Sequence, residues 1–390
     1  MSPVMRVRTS LDRRRFLKSL GATAAMAGFP LSSFADDALK GVSPQTLERV
    51  KQLLSDSTAV DFHTHLGLWQ NRGLAEIDPA FGLLSDQKLA SNIQDYLAAD
   101  VNCIYLDVIG DLARTRVGTP GNKDRDFVGE EAWEDHLRQY ALIEQFLDEL
   151  PMAMALSTAE IDQINAQGQL AVILSAEGGH MLETDASRVD VLYAQGFRRL
   201  QPIHYVASSL GDSQTDPVIH EGLSELGREV LTRASERGML IDMAHATQAA
   251  VEQVVALVDR PIALSHTMVA YESASYGDYR NTRSRWITPE HARLIADTGG
   301  VIGTFPVRAP WGVDSLDAFV EALWVMVDAV GFEHIAWSTD LVEAGRPEFL
   351  QSYAQFPVMC AKLIESGFSE ADLLKFTGGN ALRVQREATA

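Results

Sequence analysis

Several histidines and carboxylates of this chain stand in or directly after short apolar segments. Five of the ten histidines in the 390 residues do so. The full set is His63, His65, Glu177, His204, His245, His266 and Asp340. Neutral imidazole and carboxylate groups are ligands that borderline divalent ions such as zinc prefer. We therefore expect two divalent metal ions per chain, zinc being the favoured metal. The expected ligands are His63, His65, Glu177, His245 and His266.

Such a site predicts a metal-dependent hydrolase. A divalent ion lowers the pKa of a bound water from about 15.7 towards 7, which creates hydroxide at neutral pH. A carboxylate beside that hydroxide can take the proton and pass it to a leaving amine, and Asp340 suits this task. His180, three residues after Glu177, is as compatible with a supporting role as with a purely structural one. We expect structural roles for His136, His220, His291 and His334.

Eight short segments rich in β-forming residues alternate with segments of helical periodicity. They span residues 59–62, 101–108, 170–176, 197–201, 239–244, 261–265, 300–305 and 334–338. This alternation predicts an α/β fold, a closed (β/α)₈ TIM-like barrel. Active sites of such barrels lie at the carboxyl ends of the strands, and six of the eight segments finish in a histidine or a carboxylate.

Three polar segments rich in glycine, proline, aspartate or arginine interrupt the alternation. They are residues 70–91, 114–130 and 273–286. We expect them to be loop insertions over the C-terminal mouth of the barrel, where they either shape a substrate pocket or form inert surface. No glycine-rich phosphate loop follows any predicted strand, and no internal repeat is present.

The first 35 residues differ from the rest. Paired arginines before Phe16-Leu17-Lys18 lead into a weakly apolar run, as in a twin-arginine signal peptide, and Ala35 suits cleavage before Asp36. A basic, disordered tail is the alternative. The run is shorter than the roughly 20 residues of a membrane-spanning helix. Residues 1–35 are thus expected to direct export by the twin-arginine machinery, and 36–390 to form the barrel as a periplasmic or secreted protein without a stable membrane anchor.

Composition excludes some classes of partner. A net charge of −20 makes nucleic acid an improbable ligand, because phosphate recognition needs excess positive charge. Hydrophobic residues at 46% and charged residues at 22% are typical of a globular enzyme. The two cysteines, Cys103 and Cys360, form no disulfide framework, and sequence leaves open whether they pair.

Longer motifs surround the candidate ligands. They are Ala-Glu-Gly-Gly-His at 176–180, Ile-His at 203–204, Ile-Asp-Met-Ala-His at 241–245, Leu-Ser-His at 264–266, Arg-Asn at 280–281 and Gly-Gly-Asn-Ala-Leu-Arg-Val at 378–384. With these motifs the chain resembles the membrane (renal) dipeptidase family, within the amidohydrolase-like metal-dependent barrels. The resemblance covers roughly residues 55 to 385.

The resemblance implies a role for each residue. His63 and His65 would hold one metal, His245 and His266 the other, and Glu177 would bridge them. His204 would contact the substrate and stabilise the tetrahedral oxyanion, and Arg280 would bind the substrate's terminal carboxylate. A homodimer is also implied. Two positions depart from the family pattern, which has His-x-Asp where this chain has His63-Thr64-His65, and Asp-Phe-Asp-Gly where it has Asp340-Leu341-Val342-Glu343.

The function predicted from these features is that of an exported binuclear metal-dependent dipeptidase. Metal-bound hydroxide would cleave the amide bond of a dipeptide or a similar small amino-acid amide. Another amidohydrolase activity, on a lactone, an acyl-amino acid or a cyclic amide, is the alternative that His65 favours. A mononuclear deaminase would leave Glu177 without a second metal to bridge. A catalytically inactive periplasmic binding barrel would be expected to lack a ligand, and none is missing.

Overall fold

A computed structural model describes residues 42–76, 86–116, 122–270, 285–307, 313, 315–340 and 346–390. Its strands are β1 (Ala59–Thr64), β2 (Val101–Ile109), β3 (Met152–Met154), β4 (Leu170–Glu177), β5 (Phe197–Gln201), β6 (Leu240–Ile241), β7 (Ala263–Leu264), β8 (Val301–Gly303) and β9 (Ile335–Ala336). The longer helices are α1 (Pro44–Ser55), α2 (Asp86–Ala98), α3 (Glu131–Glu149), α4 (Ile161–Asn165), α5 (Arg188–Ala194), α6 (Glu225–Glu236), α7 (Gln248–Val255), α8 (Pro289–Ala296), α9 (Leu316–Val330), α10 (Phe356–Glu365), α11 (Glu370–Leu374) and α12 (Asn380–Thr389).

Eight of these strands form a closed ring. Strands β1, β2, β4, β5 and β6 pair in parallel in that order, and β7, β8 and β9 form a second parallel sheet. A parallel bridge between Asp242 and Ala263 joins β6 to β7. The Phe62 amide donates to the Trp337 carbonyl at 3.0 Å and thereby joins β1 to the end of β9. The predicted TIM-like barrel is therefore confirmed.

The predicted strands differ from the observed ones mainly in length. Strands β1, β2, β4 and β5 match the apolar segments closely, whereas β6 to β9 pair over only two or three residues each. The later strands leave the hydrogen-bonded ladder early, although their flanking apolar residues stay buried. Strand β3 was not predicted, because Met152–Met154 is too short to show a strand pattern.

Two helices match their predicted periodicity. Helix α3 contains Trp133 and ends at Glu149, one residue before the predicted end at Leu150. Helix α9 begins after Ser315, whose side chain accepts a hydrogen bond from the Ala318 amide, and ends at Gly331, which has a φ of 82°. Serine before the first turn and glycine after the last are the usual helix boundaries, which is why this helix could be located from sequence.

The barrel interior is apolar at its amino-terminal end. Inward residues such as Val60, Phe62 and Ile173 pack there against Ala381 and Val384 of α12. This helix closes the bottom of the barrel, so polar side chains can collect only at the opposite, carboxyl end of the strands.

Several predictions concern residues outside the described ranges. The predicted signal segment 1–35 lies outside them, as does most of the loop 273–286, including Arg280. Parts of the other two loops, residues 77–85 and 117–121, lie outside them as well. Among the described helices, none has the length and apolar character to span a bilayer. The two cysteine thiols are free and buried.

A substitution at Gly303 tests how tightly the later strands pack. A Cβ atom at this position would lie 1.8 Å from the Ser265 carbonyl oxygen, which belongs to the backbone and cannot rotate away. We expect Gly303→Ala to lower the free energy of unfolding by about 2 kcal/mol or more, measured by urea denaturation. Gly129→Asn is the control, because φ is +58° and no atom lies within 4 Å of its Cβ position. Equal stability of the two variants would contradict the packing.

Candidate metal centre

The end of β1 supplies the first two imidazoles. His63 and His65 point to the same side of the strand, with ring centroids 5.0 Å apart, as the two-residue strand period predicts. The Nε2 atom of His65 lies 3.1 Å from Glu177 Oε2 and 3.0 Å from Asp340 Oδ1. The Nε2 atom of His63 lies 3.6 Å from a carboxylate oxygen of each of the same two residues. Strands β1, β4 and β9 therefore bring their terminal side chains together.

Glu177 lies at the centre of the site. Its Oε1 atom is within 3.6 Å of four imidazole Nε2 atoms, those of His63, His204, His245 and His266. The carboxylate is fully buried. Burial by itself raises the pKa of Glu177, but the charges of His204, His63 and His65 outweigh it and hold the pKa well below its usual value. The group is therefore an anion in a buried ring of imidazoles.

His245 and His266 follow β6 and β7. Their Nε2 atoms are 3.0 Å apart. Burial lowers the pKa of both imidazoles well below the ordinary value, so each is neutral at pH 7 and keeps a lone pair for a metal. His245 has a φ of 68° and Asp340 a φ of 47°, left-handed conformations that are uncommon for such residues and tend to occur at functional sites.

The site contains three groups of side chains spaced for metal binding. They are His63 with His65 and Asp340, His63 with Glu177 and His266, and Glu177 with His204 and His245. The grouping of His204 with His245 differs from the resemblance, which implies that His245 and His266 share a metal. It arises because the His204 imidazole points its Nε2 atom at Glu177, 3.5 Å away.

The free nitrogen of His63 provides a test of fit for a metal. Its buried Nε2 atom has no hydrogen-bond partner, while its Nδ1 atom lies between Asp107 Oδ2 at 3.1 Å and Arg199 Nη2 at 2.9 Å. A metal-binding histidine typically donates from one nitrogen to a carboxylate and offers the other to the ion. The residues present therefore suit a divalent ion such as zinc, which takes nitrogen and oxygen ligands.

A buried arginine supports this arrangement from below. Arg199 is fully buried, and its Nη2 atom donates to both oxygens of Asp107, at 2.8 and 3.1 Å. Its Nε atom donates to Ser175 Oγ at 2.7 Å and lies 3.3 Å from Asp242 Oδ2. The guanidinium thus offsets two buried carboxylates. The sequence did not reveal this role, since an arginine in a strand usually faces solvent.

Asp61 ties the first strand to the last. Its carboxylate accepts hydrogen bonds from the hydroxyls of Thr339 at 2.6 Å, Tyr96 at 2.8 Å and Tyr353, as well as from the Thr339 amide at 3.1 Å. Thr339 precedes Asp340, so this cluster fixes the ends of β1 and β9 relative to each other. Its only signal in the sequence is an aspartate two residues before His63.

His204 has a carboxylate partner that sequence analysis also missed. Its Nδ1 atom lies 2.6 Å from Asp111 Oδ1, and the other oxygen of Asp111 accepts from the Val206 amide at 2.8 Å. Burial lowers the pKa of His204, but the charges of Asp111 and Glu177 outweigh it and raise the pKa above the ordinary value. His204 is therefore aimed at the centre with a proton on Nδ1.

Arg285 is a second buried arginine that the sequence analysis did not single out. It is buried, and its guanidinium donates to Gln214 Oε1 at 2.5 Å and to the His266 carbonyl at 3.2 Å. Its Nε atom has no hydrogen-bond partner, and burial lowers its pKa. Arg280, predicted for carboxylate binding, lies outside the described residues. The sequence shows several arginines in this loop, but it does not show that Arg285 is buried.

None of the three ligand groups in the described part of the chain includes His136, His180, His220, His291 or His334. His136, His220 and His334 bond to Gln195, to the Ser208 carbonyl and to the Gly300 carbonyl, respectively, and take no part in the three ligand groups. His180 is buried beside Phe127, with ring centroids 5.6 Å apart, and neither ring nitrogen has a partner.

Comparison with known proteins adds to this geometry. The family model for membrane dipeptidase, peptidase family M19, matches residues 47–390. Dipeptidase 3 of Mus musculus is 25% identical over 367 residues, which cover 88% of this chain and 67% of that protein. Dipeptidase tcpJ of Claviceps purpurea is 25% identical over 68% of this chain. This match covers 63% of the length of tcpJ, which is less than two thirds.

Solved structures share the fold. The probable dipeptidase PvdM of Pseudomonas aeruginosa superimposes with a TM-score of 0.71 at 19% identity, over 89% of this chain and 99% of that one. A metallo peptidase of Rhodobacter sphaeroides, liganded with a phosphinate mimic of L-Ala-D-Ala, gives a TM-score of 0.67 at 16% identity, over 85% and 99%. Because the family model spans most of the residues and includes the whole ligand set, this chain belongs to the membrane dipeptidase family, peptidase family M19.

Proposed function

We propose that this protein is an exported, binuclear metal-dependent dipeptidase. The observation that carries the proposal is the ring of imidazoles around Glu177, which offers neutral nitrogen donors and a shared carboxylate in one buried site. Family membership supports hydrolysis of dipeptides, the activity for which the curated relatives are named.

The charges of the buried region support the binding of divalent metal ions. Around the ligands, the carboxylates outnumber the guanidiniums. The carboxylates are Asp61, Asp107, Glu177, Asp242 and Asp340, and the guanidiniums are Arg199 and Arg285. Uncompensated charge is costly in a buried site, and bound divalent ions would offset the excess of carboxylates over guanidiniums. The proposed ligands are His63, His65, Glu177, His245 and His266.

Metal ions held there would supply Lewis acidity and an acidified water for attack on the amide carbonyl. Asp340 lies 3.0 Å from His65 and is the carboxylate with some exposure, so it can receive a proton and return it to the leaving amine. His204 directs Nε2 into the site and can donate to an oxygen on which negative charge develops. Both side chains act from fixed positions, which lowers the cost of reorganisation during reaction.

The substrate's carboxylate end needs a cation. Arg285 is buried, uses only part of its donor capacity and contacts the backbone of His266, so it suits a carboxylate bound next to the metals. Arg280 stays a prediction for the same task. Either residue would fix one end of a dipeptide while its amide carbonyl faces Glu177.

A different amidohydrolase activity is the second candidate, and His65 favours it. An imidazole in place of the family's carboxylate removes one negative charge from the ligand set, which changes the affinity for metal and the acidity of its water. Lactones, acyl-amino acids and cyclic amides therefore belong in the substrate panel.

Loss of the central carboxylate tests the metal centre. The purified protein is expected to hold about two zinc ions per chain by elemental analysis and to hydrolyse L,L or L,D dipeptides. Glu177→Gln should lose metal and lower kcat/KM by at least about 1,000-fold, because a neutral amide cannot bridge two cations. Asp340→Asn should also lower kcat strongly. Glu183→Gln, a carboxylate outside the site, is the control. A zinc-loaded wild type without dipeptidase activity would exclude the proposal.

The proposed role of Arg285 in binding the substrate carboxylate can be tested with substrates that have or lack this group. Arg285→Met should raise KM for a dipeptide by about 10- to 100-fold, since a charge-assisted pair with the substrate carboxylate is lost. The corresponding dipeptide amide, which has no carboxylate, should respond much less to the substitution. The exposed Arg293→Met is the matched control. Equal effects on the acid and the amide would assign Arg285 a structural role.

Export can be tested independently of catalysis. Replacing Arg13 and Arg14 by lysine should keep the full-length precursor in the cytoplasm, because the twin-arginine machinery recognises that pair. The wild type should appear in the periplasmic fraction with Asp36 as its first residue. Lysine at Arg6 and Arg8 is the control and should leave export unchanged. Periplasmic mature protein from the Arg13 and Arg14 variant would contradict the assignment.

A further inference from the structure

Asp216 is a buried carboxylate without a partner. Its exposure is 2%, and neither carboxylate oxygen has a hydrogen-bond partner. Leaving a buried polar group unsatisfied costs free energy, and more so for a charged group, so an unsatisfied buried carboxylate requires an explanation such as a bound cation. Nothing in the proposed metal chemistry uses Asp216.

The loop that carries Asp216 is fixed to the metal centre. The Gln214 amide donates to the His245 carbonyl at 2.7 Å, and the Gln214 side chain accepts from Arg285. Farther along the loop, the Asp212 carboxylate accepts from the amides of Ile219 and His220, both at 2.9 Å, and of Gly222 at 2.7 Å. These bonds hold the loop over the carboxyl end of the barrel, where Asp216 is buried.

The charge of Asp216 is only partly offset by its neighbours, Lys123 and the Ala207 backbone amide, which both lower its pKa. Lys123 acts on it electrostatically, but the Nζ atom of Lys123 bonds to Asp126 and lies outside ion-pair distance of Asp216. Asp111 is also close enough to act on it, and its oxygens are already bonded to His204 and to the Val206 amide. Burial raises the pKa of Asp216 to about 6, with Lys123 and the Ala207 amide opposing, so the carboxylate is largely ionised at pH 7.5.

The position of Asp216 indicates which cation it would bind. Within the described ranges, it forms no ion pair with any histidine of the metal centre, and Asp111 with its partner His204 connects the two regions. A substrate's α-ammonium is attached next to the scissile carbonyl and must stay beside the metal ligands. A protonated amine at the end of a flexible side chain can extend farther. Both candidate cations are ammonium groups, and the side-chain amine of the substrate fits this location better than its α-ammonium does.

We propose that Asp216 is a specificity residue that binds the protonated side-chain amine of a basic residue in the substrate. The proposal rests on the dipeptidase function. Substrates with a lysine-like side chain should therefore be preferred over isosteric neutral ones, because only the ammonium can donate charged hydrogen bonds to the unpaired carboxylate.

Paired substrates test this directly. Zinc-loaded wild type is assayed at pH 7.5 with Lys-Ala and Ala-Lys, and with Nle-Ala and Ala-Nle, in which norleucine has the lysine chain without its amine. We expect kcat/KM for at least one lysine dipeptide to exceed that of its norleucine partner about tenfold or more, through KM. Asp216→Asn should abolish this preference and leave hydrolysis of the norleucine dipeptides unchanged. Glu221→Gln, an exposed acid of the same loop, should retain the preference.

Thermal unfolding adds a measurement that separates recognition from a structural role. Removing an unpaired buried charge should leave Tm unchanged or raise it, whereas removing a structural carboxylate would lower it. The proposal is overturned by a wild type that does not distinguish lysine from norleucine, or by Asp216→Asn that still does. An equal rise in KM for all four substrates would assign Asp216 to the α-ammonium and also overturn it. Hydrolysis of the norleucine dipeptides by wild type shows that the proposed function holds whichever result is obtained.

Discussion

The buried carboxylate of Glu177 is the constraint around which this molecule is organised. A carboxylate at the centre of a barrel is stable only if positive charge or hydrogen-bond donors surround it. Here five imidazoles from the ends of four strands approach it within 3.6 Å. Each of those strands must end at the same height, and the closed barrel is an architecture that meets this requirement. The apolar bottom sealed by α12 leaves the opposite end as the place where such a cluster can form.

The imidazoles are held in turn by a second set of carboxylates. Asp107 contacts Nδ1 of His63, Asp111 contacts Nδ1 of His204, and Asp61 joins the strand ends that carry His63 and Asp340. Each of these acids lies beneath or beside the site and has its own compensation, from Arg199, a backbone amide or three hydroxyls. Positioning and charge compensation are thus achieved by the same contacts. Removal of one acid would free an imidazole as well as change the charge.

The sequence located the candidate ligands at the strand ends, but it did not reveal the buried residues that hold them in place. Strand ends could be located because buried strands are continuous apolar runs, and the residues that follow them, such as His245 and His266, are conspicuous. Arg199 could not be recognised, since its charge lies within a strand and is compensated by acids from other strands. The same limit applies to Arg285, because burial of one arginine among several in a loop depends on long-range packing. Short strands such as β6 lie in longer apolar segments but form hydrogen-bonded pairs over only two or three residues, so their length could not be predicted.

The imidazole at position 65 has the most direct effect on chemistry. It contacts Glu177 and Asp340 at once, whereas a carboxylate there would repel both. A third carboxylate at this point would have to be offset by the metal ions, which would then polarise water less. With His65 the candidate ligand set is less negative, so divalent ions bound there would keep more of their charge for a substrate carbonyl and an attacking water. The cost is weaker electrostatic attraction for the ions themselves. Retention of metal then depends more on the rigid placement of the imidazoles, which the Asp61 and Asp107 contacts provide.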